Sequence, residues 1–164
     1  MYINVHTHHT QPVAGIISIG NLYKNFDAIE KGSLYSVGLH PWFITAASWE
    51  QQFETVKEKC RLENVVAVGE AGLDKVCSTD FALQQTVFAA HIQLANEIQK
   101  PLIVHCVRAH AEALQLLKQY NLTVPVLFHG FTKSKELALQ LIAQGYYLSF
   151  GHGLLKENLR TVLA

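Results

Sequence analysis

Strand-length apolar runs alternate with helix-length segments along almost the whole of this chain, and several of the runs end in a residue able to bind a metal. INVHTH closes on His6 and His8, VVAVGE on Glu70, PLIVHC at His105 and VPVLFHG at His129. The alternation predicts repeated βα units around a parallel sheet. Ligands recurring at successive strand ends are how a β/α barrel assembles a site, because reactive residues gather at the carboxyl ends of its strands.

Strands are expected near Ile3 to His6, Ile16 to Ile19, Tyr35 to Leu39, Val65 to Val68, Leu102 to His105, Val126 to His129 and Tyr147 to Phe150. Helices are expected near Trp49 to Leu62, Asp80 to Ile98, Ala109 to Tyr120, Lys135 to Gln144 and Lys156 to Leu163, with Ser48 and Ser134 as caps and Gly145 as a stop. Only about seven residues separate the HTH end of the first strand from Ile16. A crossover helix with its loops needs about a dozen, so the first helix is expected to be shortened or absent. A closed eight-stranded barrel takes roughly 200 residues or more. The expectation is therefore a distorted, incomplete TIM-type (β/α) barrel with about seven of eight strands, forming a single domain over residues 1–164 that lacks its C-terminal strand and helix.

At 164 residues, 49% of them apolar and 16% charged, the chain can bury one sizeable core. Its 13 basic and 13 acidic residues cancel, which excludes the strong basic field that drives salt-dependent nucleic-acid binding through many phosphates. Cys60, Cys77 and Cys106 are odd in number and lack CxxC spacing, against both a disulfide framework and a structural zinc knot. With no signal-like amino terminus and no apolar run of about 18 residues, a cytoplasmic protein without a membrane partner is expected.

His6 and His8 are two apart, so on a strand both face the same way and reach one ion together. Such a pair suits zinc, or nickel or manganese when carboxylates complete the shell. Two surface histidines would show the same spacing, but this pair closes an apolar strand and three further candidate ligands recur at the ends of later ones. An unpaired acid is costly beside a core, so Glu70 needs partners. A carboxylate there can bridge two divalent ions, with His105 and His129 serving the second.

The order of HTH, GLHP (Gly38 to Pro41), GEAGLD (Gly69 to Asp74), Gln85 with Phe88, Leu94 and Ala95, HCVRA (His105 to Ala109), HGFTKS (His129 to Ser134) and GYYLSFG (Gly145 to Gly151) resembles the TatD-like metal-dependent DNases of the amidohydrolase superfamily. The resemblance implies a distorted TIM barrel with two divalent ions, whether zinc, magnesium, manganese or nickel, hydrolysing phosphodiester bonds in DNA. It implies that His6 and His8 hold one ion, His105 and His129 the other, and Glu70 the bridge and catalytic centre. The family usually has an acid two residues before HxH, where this chain has Asn4, and a catalytic Asp at the end of an eighth strand, which no residue here matches. A fragment of a longer product is expected on that account. Asp74 falls in the family's motif as a residue supporting a ligand. Other readings are a hydrolase of the same superfamily acting on a small phosphoester, a lactone or a C–N bond, or a metal-binding domain without catalysis.

Arg108 either grips a phosphate through its guanidinium fork or is a solvated helix-start charge. His40 in GLHP either contacts substrate or is a loop histidine beside the site. His9 points away from the pair if the strand persists, Cys106 is expected as a small core residue, and His91 and His110 as helix-surface residues. His152 in GHG faces the ligand end. Trp42, Phe43 and Trp49 either stack a base at the mouth or cover barrel core. The sequence leaves the oligomeric state open.

Overall fold

A computed structural model describes residues 2–8 and 13–151. Its seven strands form one sheet in which every neighbouring pair is parallel and spatial order follows chain order. The strands are β1 (Tyr2–Thr7), β2 (Ile16–Leu22), β3 (Leu34–Val37), β4 (Val65–Asp74), β5 (Leu102–Val107), β6 (Val126–Phe128) and β7 (Tyr147–Leu148). The helices are α1 (Trp49–Lys59), α2 (Phe81–Ile98), α3 (His110–Gln119) and α4 (Lys135–Ala143). Among the described residues no helix stands between β1 and β2, and only a 3-10 turn at Phe26–Ala28 lies between β2 and β3. The described part of this connection agrees with a first crossover helix that is shortened or absent. No pairing joins β7 to β1 among the described residues, so the sheet is a curled, open part of a TIM-type barrel. His9, His152 and the helix expected over Lys156 to Leu163 fall outside the described residues.

From β3 onward the elements close a core. Val37, Val68, Leu73, Leu102, Val104 and Phe128 from the sheet meet Val56, Phe88, Ile92, Leu117 and Leu141 from the helices. Each fully buried side chain of this size contributes roughly 1.5–3 kcal/mol. The longest helix, α2, starts where Asp80 accepts from Leu83 N at 2.8 Å and ends where Gln99 turns left-handed. Ser134 caps α4 as expected, whereas Ser48 does not cap α1 and instead bonds Thr45 at 2.8 Å. Helix α1 stops at Lys59, short of the expected Leu62. There Lys100 Nζ bonds the carbonyls of Cys60, Leu62 and Val65 as the chain turns into β4.

The largest departure from expectation is β4, which runs to Asp74 instead of stopping at Val68. Two glycines permit it. A Cβ at Gly69 would strike the Ile103 carbonyl and one at Gly72 the His105 carbonyl, both at positive φ, so bare backbone is what lets β4 lie against β5 as far as Asp74 opposite Val107. Glu70 is consequently inside a strand, with the Gly69–Glu70 peptide cis.

Candidate metal centre

Glu70 is 2% exposed and lies where β1, β3, β5 and β6 deliver their histidines. One carboxylate oxygen, Oε1, faces His105 Nδ1 at 2.8 Å and His40 Nε2 at 3.8 Å. The other, Oε2, faces His6 Nε2 at 3.2 Å and His8 Nε2 at 4.0 Å. The His129 ring packs on His6 with centroids 3.7 Å apart. Thus His6, His8, Glu70, His105 and His129, read from the sequence as one constellation, come together in space.

Two sets of donor atoms lie within 4.8 Å of one another: His6, Glu70 and His129 on one side, and His40, Glu70 and His105 on the other. His129 therefore groups with His6 instead of with His105, and His40 takes the place beside His105. The donor set fits divalent ions: imidazoles surround a buried carboxylate, and His6 Nδ1 is buried without a hydrogen-bond partner. His129 uses Nδ1 on Ser149 Oγ at 3.0 Å, which leaves Nε2 for a ligand.

Burial pushes the Glu70 carboxyl up, but hydrogen bonds from His105 and His6 outweigh it and hold the group well below the usual carboxylate range. Burial, helped by neighbouring His105, lowers His40 to about 4, and burial with His6 lowers His129 to about 4. His40 is thus neutral near pH 7. Its Nδ1 accepts from Trp42 N at 3.2 Å, which puts the ring proton on Nε2, beside His105 Nδ1 at 3.2 Å and Glu70 at 3.8 Å. His105 behaves oppositely. Desolvation disfavours its charge, yet bonds to Glu70 and, through Nε2, to Asp74 Oδ2 at 3.1 Å raise its pKa.

Several supporting residues carry no local sequence signal. Asn21 on β2 accepts the Glu70 backbone N–H at 2.8 Å and the Ser36 hydroxyl at 3.1 Å. Gln84, and not its neighbour Gln85, is the buried glutamine: its amide bonds Asp74 N at 2.7 Å and Asp74 O at 3.0 Å, pinning the end of β4. Asp74 is 2% exposed and also accepts from Trp42 Nε1 at 2.6 Å, in keeping with the supporting place expected for it.

Four expectations change. His91 is fully buried, not at the surface, because it accepts from Leu39 N at 3.0 Å and bonds Val87 O at 2.7 Å, tying α2 to the segment after β3. His110 is half-buried, since it begins α3 against Phe128, with centroids 6.0 Å apart. Cys106 packs against the core but is only half-buried, since it also lines the cavity, and burial raises its thiol to about 12. Trp42 and Phe43 stay 56% and 49% exposed instead of covering core, whereas Trp49 packs on Phe53. Arg108, just past β5 at φ 54°, is exposed and outside the cavity lining.

The cluster opens into a cavity of about 480 Å³ lined by Glu70, His105 and His129 together with Tyr23, Trp42 and Lys133. No described helix is long and apolar enough to cross a membrane.

Comparison with known proteins agrees with this geometry. An uncharacterized metal-dependent hydrolase of Buchnera aphidicola is 30% identical over 146 residues, which is 84% of this chain and 53% of that protein. The 3'-5' ssDNA/RNA exonuclease TatD of Citrobacter koseri is 31% identical over 147 residues, 83% of this chain and 55% of the exonuclease. The crystal structure of YJJV, a TatD homolog from Escherichia coli K12, superposes with a TM-score of 0.73 at 27% identity, covering 90% of this chain and 66% of that one. This chain spans about half the length of the two relatives. The sequence profile of one family, described as TatD related DNase, matches residues 4–164, and to that family this chain belongs.

Proposed function

We propose that this chain carries the metal centre of a hydrolase that cleaves phosphodiester bonds in nucleic acid, DNA in the first place. The observation that carries the reading is the two-sided Glu70: one oxygen addresses His6 and His8, the other His105 and His40, as a carboxylate bridging two ions must. His6, His8 and His129 are proposed to hold one divalent ion and His105 the other. Such ions, when bound, supply a water of lowered pKa and positive charge against the developing charge on phosphorus.

The protein's own groups set the rest. Glu70 keeps its charge at neutral pH because the surrounding imidazoles hold it ionised. Asn21 and Gln84 hold the backbone on either side of it, and Asp74 fixes the His105 ring. His40, neutral and with Nε2 3.2 Å from His105 Nδ1, lines the cavity beside the place a phosphate would take. Lys133 supplies a cation in the cavity wall, and the exposed Arg108 meets phosphates further along the strand.

The test is metal analysis of the purified protein together with hydrolysis of a single-stranded oligonucleotide under magnesium, manganese or zinc, with a chelator control. Retained metal and chelator-sensitive cleavage are expected. Cleavage of only a phosphomonoester or a lactone would replace this reading with another hydrolase of the fold, and metal retention without any turnover would replace it with a binding domain.

A further inference from the structure

Tyr23, Trp42 and Phe43 line the cavity together and stand outside the core cluster. Tyr23 and Phe43 stack nearly parallel, with centroids 4.9 Å apart at 14°. Trp42 stands beside it, 6.4 Å from Phe43, and its indole N–H is tied to Asp74 at 2.6 Å. Three features separate this group from an aromatic lid over core. Trp42 and Phe43 leave half their surface in water, which gives up hydrophobic stabilisation unless a ligand covers them. The rings sit next to the site, the indole 5.2 Å from His40 and 6.1 Å from His105 between centroids. A cation flanks them: Lys24 Nζ lies 5.3 Å from the Tyr23 ring centre and 6.0 Å from that of Phe43, and a second, Lys133, lines the same cavity.

Flat aromatic faces beside positive charge are how proteins hold single-stranded nucleic acid without reading its sequence, because every base has a π-face and every linkage a phosphate. We propose that Trp42, Phe43 and Tyr23 form a base-binding shelf, on which one nucleobase of a single strand stacks while its phosphate reaches the cluster at His40 and His105. The proposal rests on the phosphodiesterase reading above and adds what that reading leaves open: the base, and not only the phosphate, is bound. The bond to Asp74 holds the indole in place before the ligand arrives, so less ordering entropy opposes stacking. Duplex ends present paired, stacked bases and are disfavoured.

The test uses a short single-stranded oligothymidylate and the same oligonucleotide with abasic residues at both ends, followed by fluorescence anisotropy and by tryptophan emission. Wild-type protein is expected to bind the base-bearing strand about tenfold more tightly, within the range of base–aromatic stacking, and to show quenched emission. Trp42→Leu should bring the ratio near one, and Trp42→Phe should keep most of it because a phenyl face still stacks. Phe43→Ala, whose ring is half in solvent, should lower the ratio without unfolding the chain and serves if Trp42→Leu melts early. Equal binding of both strands by the wild type, or an unchanged ratio in Trp42→Leu and Phe43→Ala, overturns the shelf. Strands that are cleaved without any base preference would sink the shelf and leave the phosphodiesterase reading standing. Strands neither bound nor cleaved under any divalent ion would sink both.

Discussion

Asp74 and His105 are joined at 3.1 Å, Oδ2 to Nε2, while the opposite ring nitrogen of His105 faces Glu70 at 2.8 Å. A carboxylate behind an imidazole fixes its tautomer and makes the facing nitrogen a better donor to a metal. Asp74→Asn keeps the volume and removes the charge. Divalent-ion affinity is expected to fall about 10–100-fold, read by competition with a chromophoric chelator, with little change in far-ultraviolet circular dichroism. Unchanged affinity would mean that Asp74 serves only to anchor Trp42.

Among the described residues, Glu70 is the one side chain that belongs to both candidate metal groups. In Glu70→Ala the histidines lose their common anion, and bound metal should fall sharply. Any turnover should drop by more than about a hundredfold, since even the outer partners of ligands commonly account for that much. The core does not depend on this carboxylate, so the thermal transition should persist. Inductively coupled plasma measurement of metal on the purified variant decides it.

The strands and helices were legible because polar punctuation interrupts apolar runs at the right period. The cluster was legible because His6, Glu70, His105 and His129 each end such a run. What escaped was set by distant partners. His91 bonds Leu39, 52 positions away, and Asn21 bonds Glu70, 49 away, so nothing in their own neighbourhoods marks them as buried. Choosing between Gln84 and Gln85 needed the rotation of α2 over Asp74, which a pair of adjacent glutamines does not reveal. The length of β4 was misjudged because Gly69 and Gly72 read locally as loop residues, although here they serve close strand contact.

Gly72 pairs with His105 across the β4–β5 ladder. Gly72→Ala places a methyl against the His105 carbonyl at a φ of +155°, where a side chain is disfavoured. A loss of about 2 kcal/mol or more is expected from overpacking. Because the carbonyl that must yield belongs to a candidate ligand, metal affinity should fall together with the melting temperature. A variant that loses stability but binds metal as before would show that β5 absorbs the strain away from His105.

His91 carries a pH dependence that can be separated from the cluster. Burial lowers its pKa from 6.5 to about 4, and its neutral ring accepts from Leu39 N while donating to Val87 O. Because the folded value is depressed, the unfolded chain takes up the proton first. The contribution is complete above the unfolded pKa near 6.5 and is lost as pH falls from there toward 4. At 1.36 kcal/mol per pKa unit, on the order of 2 kcal/mol should be gone by pH 5. His91→Gln removes the titrating group and leaves every other histidine in place. The wild type should be the more stable at pH 7.5 by urea denaturation, and its advantage should shrink by that amount at pH 5. A gap independent of pH would show that His91 is not the buried neutral group between α2 and the β3 loop.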